Sequence, residues 1–290
     1  MQKKPFLKHI AIVFNPKLEE SIQTSEKIAA YLEQHGAETT ERGSLYDAAL
    51  RDKVQNGAFD VLIALGGDGT ILRASHLCAP FNVPIVGINL GTFGFLIELQ
   101  KNDWQKYLKR ILSGDYRLEE RMMLRAEHYR GEKRLDTWKV VNEVVVCRGQ
   151  YVRPIRIDAA VDGFPMASYV ADGLIASTPT GSTAYALAAG GAIMPPELRN
   201  IIIVPVAPHL SFDRSIILSE GVCVTISVNT SHQAVLSVDG HPSVSMQDRD
   251  CVRVSASEGN VHFIRFQDPG FFYRNLNRYM EQNPSIKRGQ

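Results

Sequence analysis

The sequence predicts an N-terminal parallel-sheet α/β domain followed by a mostly antiparallel β domain, with a C-terminal helix returning to the first domain. Through about residue 115, short apolar runs alternate with helical patterns, as a parallel sheet with crossover helices requires. After Glu120 the texture changes to short β-rich runs separated by turn residues, and from Phe271 the apolar spacing becomes helical again through Met280. At 290 residues the chain also exceeds the usual single-domain length, so each part has enough residues for its own core. The division expected is residues 1–120 plus 268–290 for the α/β part and 121–267 for the β-rich part.

In chain order, Ile10 to Phe14 reads as the first strand. The segment Glu19 to His35 follows as an amphipathic helix, with Ile22, Ile28, Ala29 and Leu32 on one face and Gly36 as its stop. Val61 to Leu65 is a continuous apolar run of the kind buried on both faces of a sheet, and it ends abruptly at Gly66-Gly67-Asp68-Gly69-Thr70. Ile71 to Cys78 is compatible with a helix. Another buried strand runs from Pro84 through Ile88 into a second glycine loop, Gly91-Thr92-Phe93-Gly94, and Trp104 to Leu112 is a helix closed by Gly114. In the second part, strands are predicted at Lys139 to Cys147, Ile155 to Val161, Leu174 to Ser177, Ile201 to Val206, Val222 to Val228, Ala234 to Val238 and Val252 to Ser255. The polar tail Gln282 to Gln290 is expected to fray.

Composition narrows the function classes. Hydrophobic residues at 44% and charged residues at 22% are those of an ordinary globular protein. Lys and Arg number 32 against 31 Asp and Glu, and a net charge of +1 lacks the positive field on which nonspecific nucleic-acid binding runs, so nucleic acid is not an expected partner. Cys78, Cys147, Cys223 and Cys251 lie far apart with no CxxC pair, which argues against a structural zinc site or a disulfide scaffold and fits a reducing cytoplasm. The run Ile10 to Phe14 is too short for a signal-peptide core, and no uninterrupted apolar stretch approaches the ~18 residues of a membrane span, so no membrane association is expected. The eight histidines show no HxxxH or HExxH spacing, so no protein-held metal site is expected.

Neither GxxxxGK[ST] nor GxGxxG occurs. The Gly66–Thr70 loop instead leaves the carboxyl end of a buried strand, where ligands bind in open parallel sheets. Its glycines let backbone N–H groups approach a phosphate, and the following helix points its positive end at the same place. Asp68 is costly beside phosphates unless a cation, a proton transfer or an acceptor role uses its charge. A tight turn in which Asp68 caps the helix at Ile71 is the other reading of this loop. A second segment, Asp172 to Gly191, runs from a strand into a turn rich in hydroxyls, Ser177, Thr178, Thr180, Ser182 and Thr183, and then into a helix of small residues. Those hydroxyls suit a ribose, an amide or a phosphate edge, or else simply build an N-cap and turn.

GGDGT at 66–70 and DGLIASTPTGSTAYALAAGG at 172–191, with Asn142-Glu143 between them and Pro208-His209 after them, resemble the NAD kinase family over roughly Ile10 to Phe272. GGDGT alone is shared with lipid kinases and phosphofructokinases; the second segment separates this family from them. The resemblance implies transfer of a phosphoryl group from ATP or polyphosphate, with Mg²⁺, to the 2′-hydroxyl of the adenosine ribose of NAD, giving NADP, and a dinucleotide bound in the cleft between two domains. It implies Asp68 as general base, and Gly66, Gly67, Gly69 and Thr70 around the donor phosphates and metal, the Mg²⁺ being held mainly by those phosphates. Asn142 and Glu143 are implied to hold ribose hydroxyls or the nicotinamide amide, and Asp172 the nicotinamide side. Thr183, Ala184 and Tyr185 would line the adenine pocket, with Ala186, Leu187 and Ala188 continuing that segment. Arg73 and Arg153 are candidates for phosphate contacts and Phe95 for packing on a base or ribose; a solvated surface is the alternative for each arginine and a core position for Phe95. Tyr185 as a core aromatic is likewise open. A homodimer or homotetramer is also implied.

The sequence departs from the family's usual pattern in places. Ala188 stands where a Ser is frequent, which removes one hydroxyl that Ser182 is a candidate to replace. Ala192 and Ser215 stand where prolines are common, and Leu210 to Asp213 differs from the usual wording. His241 takes the third position of Asp239-Gly240-His241, where Gln is usual and where an imidazole can still donate to a ligand. Two alternatives remain at this point: a lipid or sugar kinase sharing only the GGDGT loop, without a dinucleotide pocket, and a dinucleotide-binding regulator without turnover.

Overall fold

The computed structural model describes residues 7–91, 94–209 and 212–281. Thr92 and Phe93 of the second glycine loop, Leu210 and Ser211, and the tail from Gln282 lie outside the described residues. The chain divides into two compact units, Met1–Glu120 with Val261–Gln290, and Arg121–Asn260.

The first unit runs β1 (His9–Val13), α1 (Glu19–Gln34), β2 (Thr39–Gly43), α2 (Ala48–Gln55), β3 (Val61–Gly66), α3 (Asp68–Cys78), β4 (Ile85–Asn89), β5 (Leu99–Gln100) and α4 (Trp104–Leu112). The strands lie in the order β2-β1-β3-β4 and are all parallel, with Ile12 opposite both Ile63 and Arg42. Their carboxyl ends, Val13, Gly43, Gly66 and Asn89, therefore share one edge of the sheet. Val61 to Leu65 are buried throughout, as the unbroken apolar run requires. Ile10, Ile12, Ile63 and Leu65 pack under Ile28 and Leu32 of α1 and Leu108 and Ile111 of α4. On the other face, Ile71 of α3 comes so close to β4 that a Cβ on Gly87 would lie 3.0 Å from its Cδ1.

The second unit is a sandwich of antiparallel strands: β6 (Arg117–Arg130), β7 (Lys133–Val140), β8 (Glu143–Arg148), β9 (Ile155–Val161), β10 (Phe164–Ala171), β11 (Gly173–Ser177), the single-turn α5 (Tyr185–Ala188), β12 (Asn200–Val206), β13 (Ile216–Ser219), β14 (Val224–Asn229), β15 (Ala234–Val238), β16 (Val244–Met246) and β17 (Cys251–Arg265). One layer has the order β13-β12-β11-β8-β15-β16; the other has β10-β9-β14-β17, with the β6–β7 hairpin on β17. Alternate residues of both layers, among them Val144, Val146, Leu174, Ile157, Ile226 and Val252, fill the core between them. The apolar run Lys139 to Cys147, expected as one strand, is two: β7 ends at Val140 and β8 starts at Glu143. The first residues of β6, through Glu120, and the last residues of β17, from Val261, belong to the first unit, where Phe263 pairs in parallel with Ile85. The C-terminal helical segment is broken into α6 (Phe271–Arg274) and α7 (Leu276–Glu281), and the Asn275 amide between them donates to the Phe271 carbonyl at 2.8 Å.

Candidate active site

In the first unit, the candidate base sits where β3 turns into α3. Gly66 must lack a side chain, because a Cβ there would lie 2.3 Å from Thr70 Oγ1 and 2.8 Å from its Cβ. Gly67 caps α3 with extended backbone, and its carbonyl accepts the N–H groups of Thr70 and Ile71 at 2.8 and 3.2 Å. Asp68 is therefore the first helical residue and does not cap the helix at Ile71. Its carboxylate reaches instead to the chain beyond β4, where Oδ2 accepts the Phe95 N–H at 2.8 Å and Oδ1 the Leu96 N–H at 3.1 Å. Two backbone donors fix the orientation of this acidic group at the N-terminus of α3.

Beside this loop, at the carboxyl edge of the sheet, lies a cavity of about 210 Å³ lined by Asn15 and Lys17 after β1, Ser44 and Tyr46 after β2, and Thr70 and Arg73 of α3. Asn15 shapes its rim by accepting the Lys17 N–H at 3.0 Å, and Ser44 Oγ accepts the Tyr46 N–H at 3.1 Å. Two cations, several hydroxyl or amide groups and an aromatic ring make a surface for a phosphorylated ligand with a flat base. Arg73 is an exposed side chain on this cavity. Asn15, Lys17, Ser44 and Tyr46 carry no motif in the sequence. Their one signal is position, since each follows the end of a parallel strand, and β2 itself is too polar to be read as a strand.

In the second unit, Asp239 organises the other cluster. Its carboxylate accepts three consecutive N–H groups, those of Val141 at 2.7 Å, Asn142 at 2.8 Å and Glu143 at 2.9 Å, and its own N–H donates to the Glu143 carbonyl at 3.0 Å. That is the reason the run from Lys139 does not continue as one strand. Asp239 and Gly240 have φ of 49° and 71°, and the His241 N–H bonds the Val238 carbonyl at 2.9 Å, so the pair forms the tight turn out of β15. Glu143 is only 7% exposed. Burial, the nearby Asp239 charge and, against them, the Tyr185 N–H leave its carboxyl pushed up to about 8. Asn142 Oδ1 and Glu143 Oε2 are buried and have no hydrogen-bond partner among the described residues. An unpartnered amide oxygen beside a carboxyl that keeps its proton up to about pH 8 offers an acceptor and a donor to the hydroxyls or amide of a ligand.

The hydroxyl-rich turn supports that cluster from behind. Ser177 Oγ donates to the Asn142 carbonyl at 3.0 Å, Thr178 Oγ1 to the Val141 carbonyl at 2.6 Å and Thr183 Oγ1 to the Thr180 carbonyl at 2.9 Å. Gly181 lies so close to this strand junction that a Cβ would be 2.2 Å from the Asn142 carbonyl oxygen. These hydroxyls bind backbone and build the turn. Ser182 is fully buried, donating to the Pro179 carbonyl and accepting the Met194 N–H, so it is not placed to replace the hydroxyl absent at Ala188.

The remaining candidates separate. Thr183 and Ala184 are half-buried, Leu187 is half-buried and Ala188 exposed. Tyr185 is 45% exposed and so is no core aromatic; burial of the rest of its ring raises the phenol above its ordinary value. Ala186, expected beside the ligand, instead buries its side chain completely among Val145, Ile175, Met194, Ile202 and Val204. Asp172 Oδ1 lies 2.9 Å from Arg148 Nε, an ion pair that sequence reasoning missed. Arg153 is exposed on the loop after β8, and His241 is exposed just beyond the β15 turn. Phe95 stacks on Tyr279 of α7, with ring centroids 4.3 Å apart and planes at 29°.

Among the described residues no three His, Cys, Asp or Glu side chains converge as metal ligands. The described residues therefore form no cage of side-chain ligands for a cation. No helix among them is long and apolar enough to cross a membrane.

Residues 10–116 match the family model for the ATP-NAD kinase N-terminal domain and residues 141–266 that for the C-terminal domain. The chain is 38% identical over 281 residues to an NAD kinase of Heliobacterium modesticaldum, an alignment covering 94% of this chain and 98% of the relative. Among solved structures, yeast NADH kinase complexed with NADH superposes with a TM-score of 0.80 over 99% of this chain and 91% of that one, at 24% identity. An NAD kinase from Archaeoglobus fulgidus in complex with ATP gives 0.74 over 94% of this chain and 98% of that one, also at 24% identity. At that identity the two structures establish the shared fold, and the sequence match adds the family: the chain belongs to the NAD kinases, a family of phosphotransferases.

Proposed function

We propose that the chain transfers the terminal phosphoryl group of ATP to the 2′-hydroxyl of the adenosine ribose of NAD, with Asp68 as general base. The observation that carries this reading is the setting of Asp68. Its carboxylate stands at the open edge of a parallel sheet, oriented by two backbone N–H groups and flanked by glycines. The ribose oxygen gives its proton to Asp68 as it bonds to the γ-phosphorus; the bond to the β,γ-bridging oxygen breaks and its electron pair leaves with ADP. General-base assistance contributes about 10² to 10⁴ in rate, and positioning with charge neutralisation supplies most of the rest.

In this reading the donor phosphates lie against Gly66, Gly67, Gly69 and Thr70, and the rest of ATP takes the cavity with Lys17 and Arg73. The unpartnered oxygens of Asn142 and Glu143 bond ribose hydroxyls or the carboxamide, Asn142 Oδ1 accepting and the protonated Glu143 carboxyl able to donate. Asp172 serves the nicotinamide side, and Thr183, Ala184 and Tyr185, with Leu187 and Ala188, the adenine. Arg153 serves the ligand phosphates, and the His241 imidazole donates to the ligand. The NADH and ATP of the two related structures support these ligand classes. A divalent cation belongs to this reading as a companion of the ATP phosphates, and no step is assigned to it. Four free thiols support a reducing cytoplasm, and a homodimer or homotetramer is part of the same proposal.

The test is NADP formation by the purified protein with NAD, ATP and Mg²⁺, read through an NADP-specific dehydrogenase, alongside Asp68→Asn. A loss of about 10²-fold or more in the variant, with NAD binding retained, is the expected result. No NADP with either ATP or polyphosphate, despite measurable NAD binding, would overturn it in favour of a regulator.

A further inference from the structure

The two backbone N–H groups that hold the Asp68 carboxylate are themselves tied to the C-terminal end of the chain. These are the N–H groups of Phe95 and Leu96. The Leu96 carbonyl accepts Arg265 Nη1 at 2.9 Å, across a sequence separation of 169 residues. Arg265 is 5% exposed, lies 4.7 Å over the Phe263 ring and pairs through Nε with Glu119 at 3.1 Å. Two residues along, the Glu98 carboxylate accepts the N–H groups of Phe266 and Gln267. Phe95 stacks on Tyr279, itself 3% exposed. Three residues of one short segment are thus held by the end of β17 and by α7, and all of these groups belong to one compact unit.

A buried arginine is an expensive way to fill space, because an apolar side chain of similar volume packs there at no desolvation cost. What Arg265 adds is a directed hydrogen bond to the backbone of a residue that holds Asp68. We propose that the end of β17 and α7 form the mount of the catalytic carboxylate, with Arg265 and Tyr279 as positioning residues for the phosphoryl transfer. The proposal rests on the reading of Asp68 as base.

Arg265→Met removes the bond to Leu96, while Glu119 keeps its second partner, Arg117 at 2.9 Å. The expected result is a fall in kcat of about 10- to 100-fold with KM for NAD and ATP within about twofold of the parent, since misplacement of a reacting group costs rate and not ground-state binding. Arg265→Lys, which can still donate to Leu96, restores kcat to within about threefold. A purely structural role would instead lower the melting temperature and leave kcat per folded molecule unchanged, as Ile28→Val in the core under α1 is expected to do. Should Arg265→Met fail to fold, Tyr279→Leu tests the other arm, with a kcat loss of about tenfold at unchanged circular dichroism. Wild-type kcat in the folded Arg265→Met protein, or in Tyr279→Leu where that protein does not fold, overturns the mount. Full turnover in Asp68→Asn would instead overturn the base assignment itself.

Discussion

A Cβ built on Gly94 would lie 2.2 Å from Asp68 Oδ1 and 2.5 Å from its Cγ. The glycine just before the two N–H donors leaves the space in which the carboxylate meets them. Gly94→Ala is therefore expected to swing Asp68 off Phe95 and Leu96. Because a side chain gives way and not the backbone, the stability cost is small, about 1 kcal/mol, while kcat falls about 10²-fold. Thermal unfolding, kcat and NAD titration on one preparation check this. A folded Gly94→Ala protein with parental kcat would show that the orientation of Asp68 does not matter.

Asp239 and Asn share a tolerance for the left-handed backbone, so Asp239→Asn keeps the turn at φ 49° and changes only the acceptor. The amide offers one oxygen where the carboxylate served three N–H groups with two. The expected cost is about 2 kcal/mol in chemical denaturation, together with weaker NAD binding as Asn142 and Glu143 loosen. Unchanged NAD affinity at reduced stability would separate the Asp239 turn from the ligand.

Glu143 makes unfolding depend on pH in an unusual direction. Its carboxyl is raised by burial and by Asp239 from the usual 4.5 to about 8, so the native state holds a proton the unfolded chain releases. This contribution is full below pH 4.5 and is lost as pH rises to about 8. Glu143→Gln removes the titration while keeping an acceptor for the Tyr185 N–H. At pH 8 the variant is expected to exceed the parent in stability by about 1–3 kcal/mol, a gain that vanishes below pH 4.5. A pH-independent difference in urea midpoints would count against a buried carboxyl as its source.

How far these sites are legible in the sequence depends on which atoms make them. The strand Val61–Leu65 and the glycines after it stand out because a strand buried on both faces must be apolar throughout and a loop that admits phosphates must lack side chains. The partners of Asp68 leave no such mark, since they are backbone N–H groups 27 and 28 residues away. Arg265 is equally silent, one arginine among many until the fold brings it to Leu96. The hydroxyls at 177–183 are visible as a cluster, but composition does not distinguish groups that meet a ligand from groups that bind the backbone at 141, 142 and 180. The break after Val140 is hidden in an apolar run because a carboxylate nearly a hundred residues later imposes it. β2 and α2 escaped for local reasons: Thr39–Gly43 is polar, and the eight-residue Ala48–Gln55 buries only Leu50 and Val54. What α2 has instead of apolar spacing is a cap, Asp47 accepting the Ala49 N–H at 3.0 Å.

Variants lining the cavity at the sheet edge test donor binding apart from acceptor binding. Lys17 and Arg73 line it from two elements, the loop after β1 and the first turns of α3, and both are exposed, so replacing them costs the fold little. If ATP lies there, Arg73→Gln removes a charge-assisted contact to its phosphates and raises the KM for ATP about tenfold, with the KM for NAD unchanged. Lys17→Gln acts in the same sense. The paired variant loses more than either alone and depends less steeply on ionic strength, because fewer cations screen the donor. Initial-rate kinetics with one substrate varied at a time distinguish the outcomes. A rise in the KM for NAD with the ATP term untouched would assign the cavity to the dinucleotide, and no change in either would leave it outside the reaction.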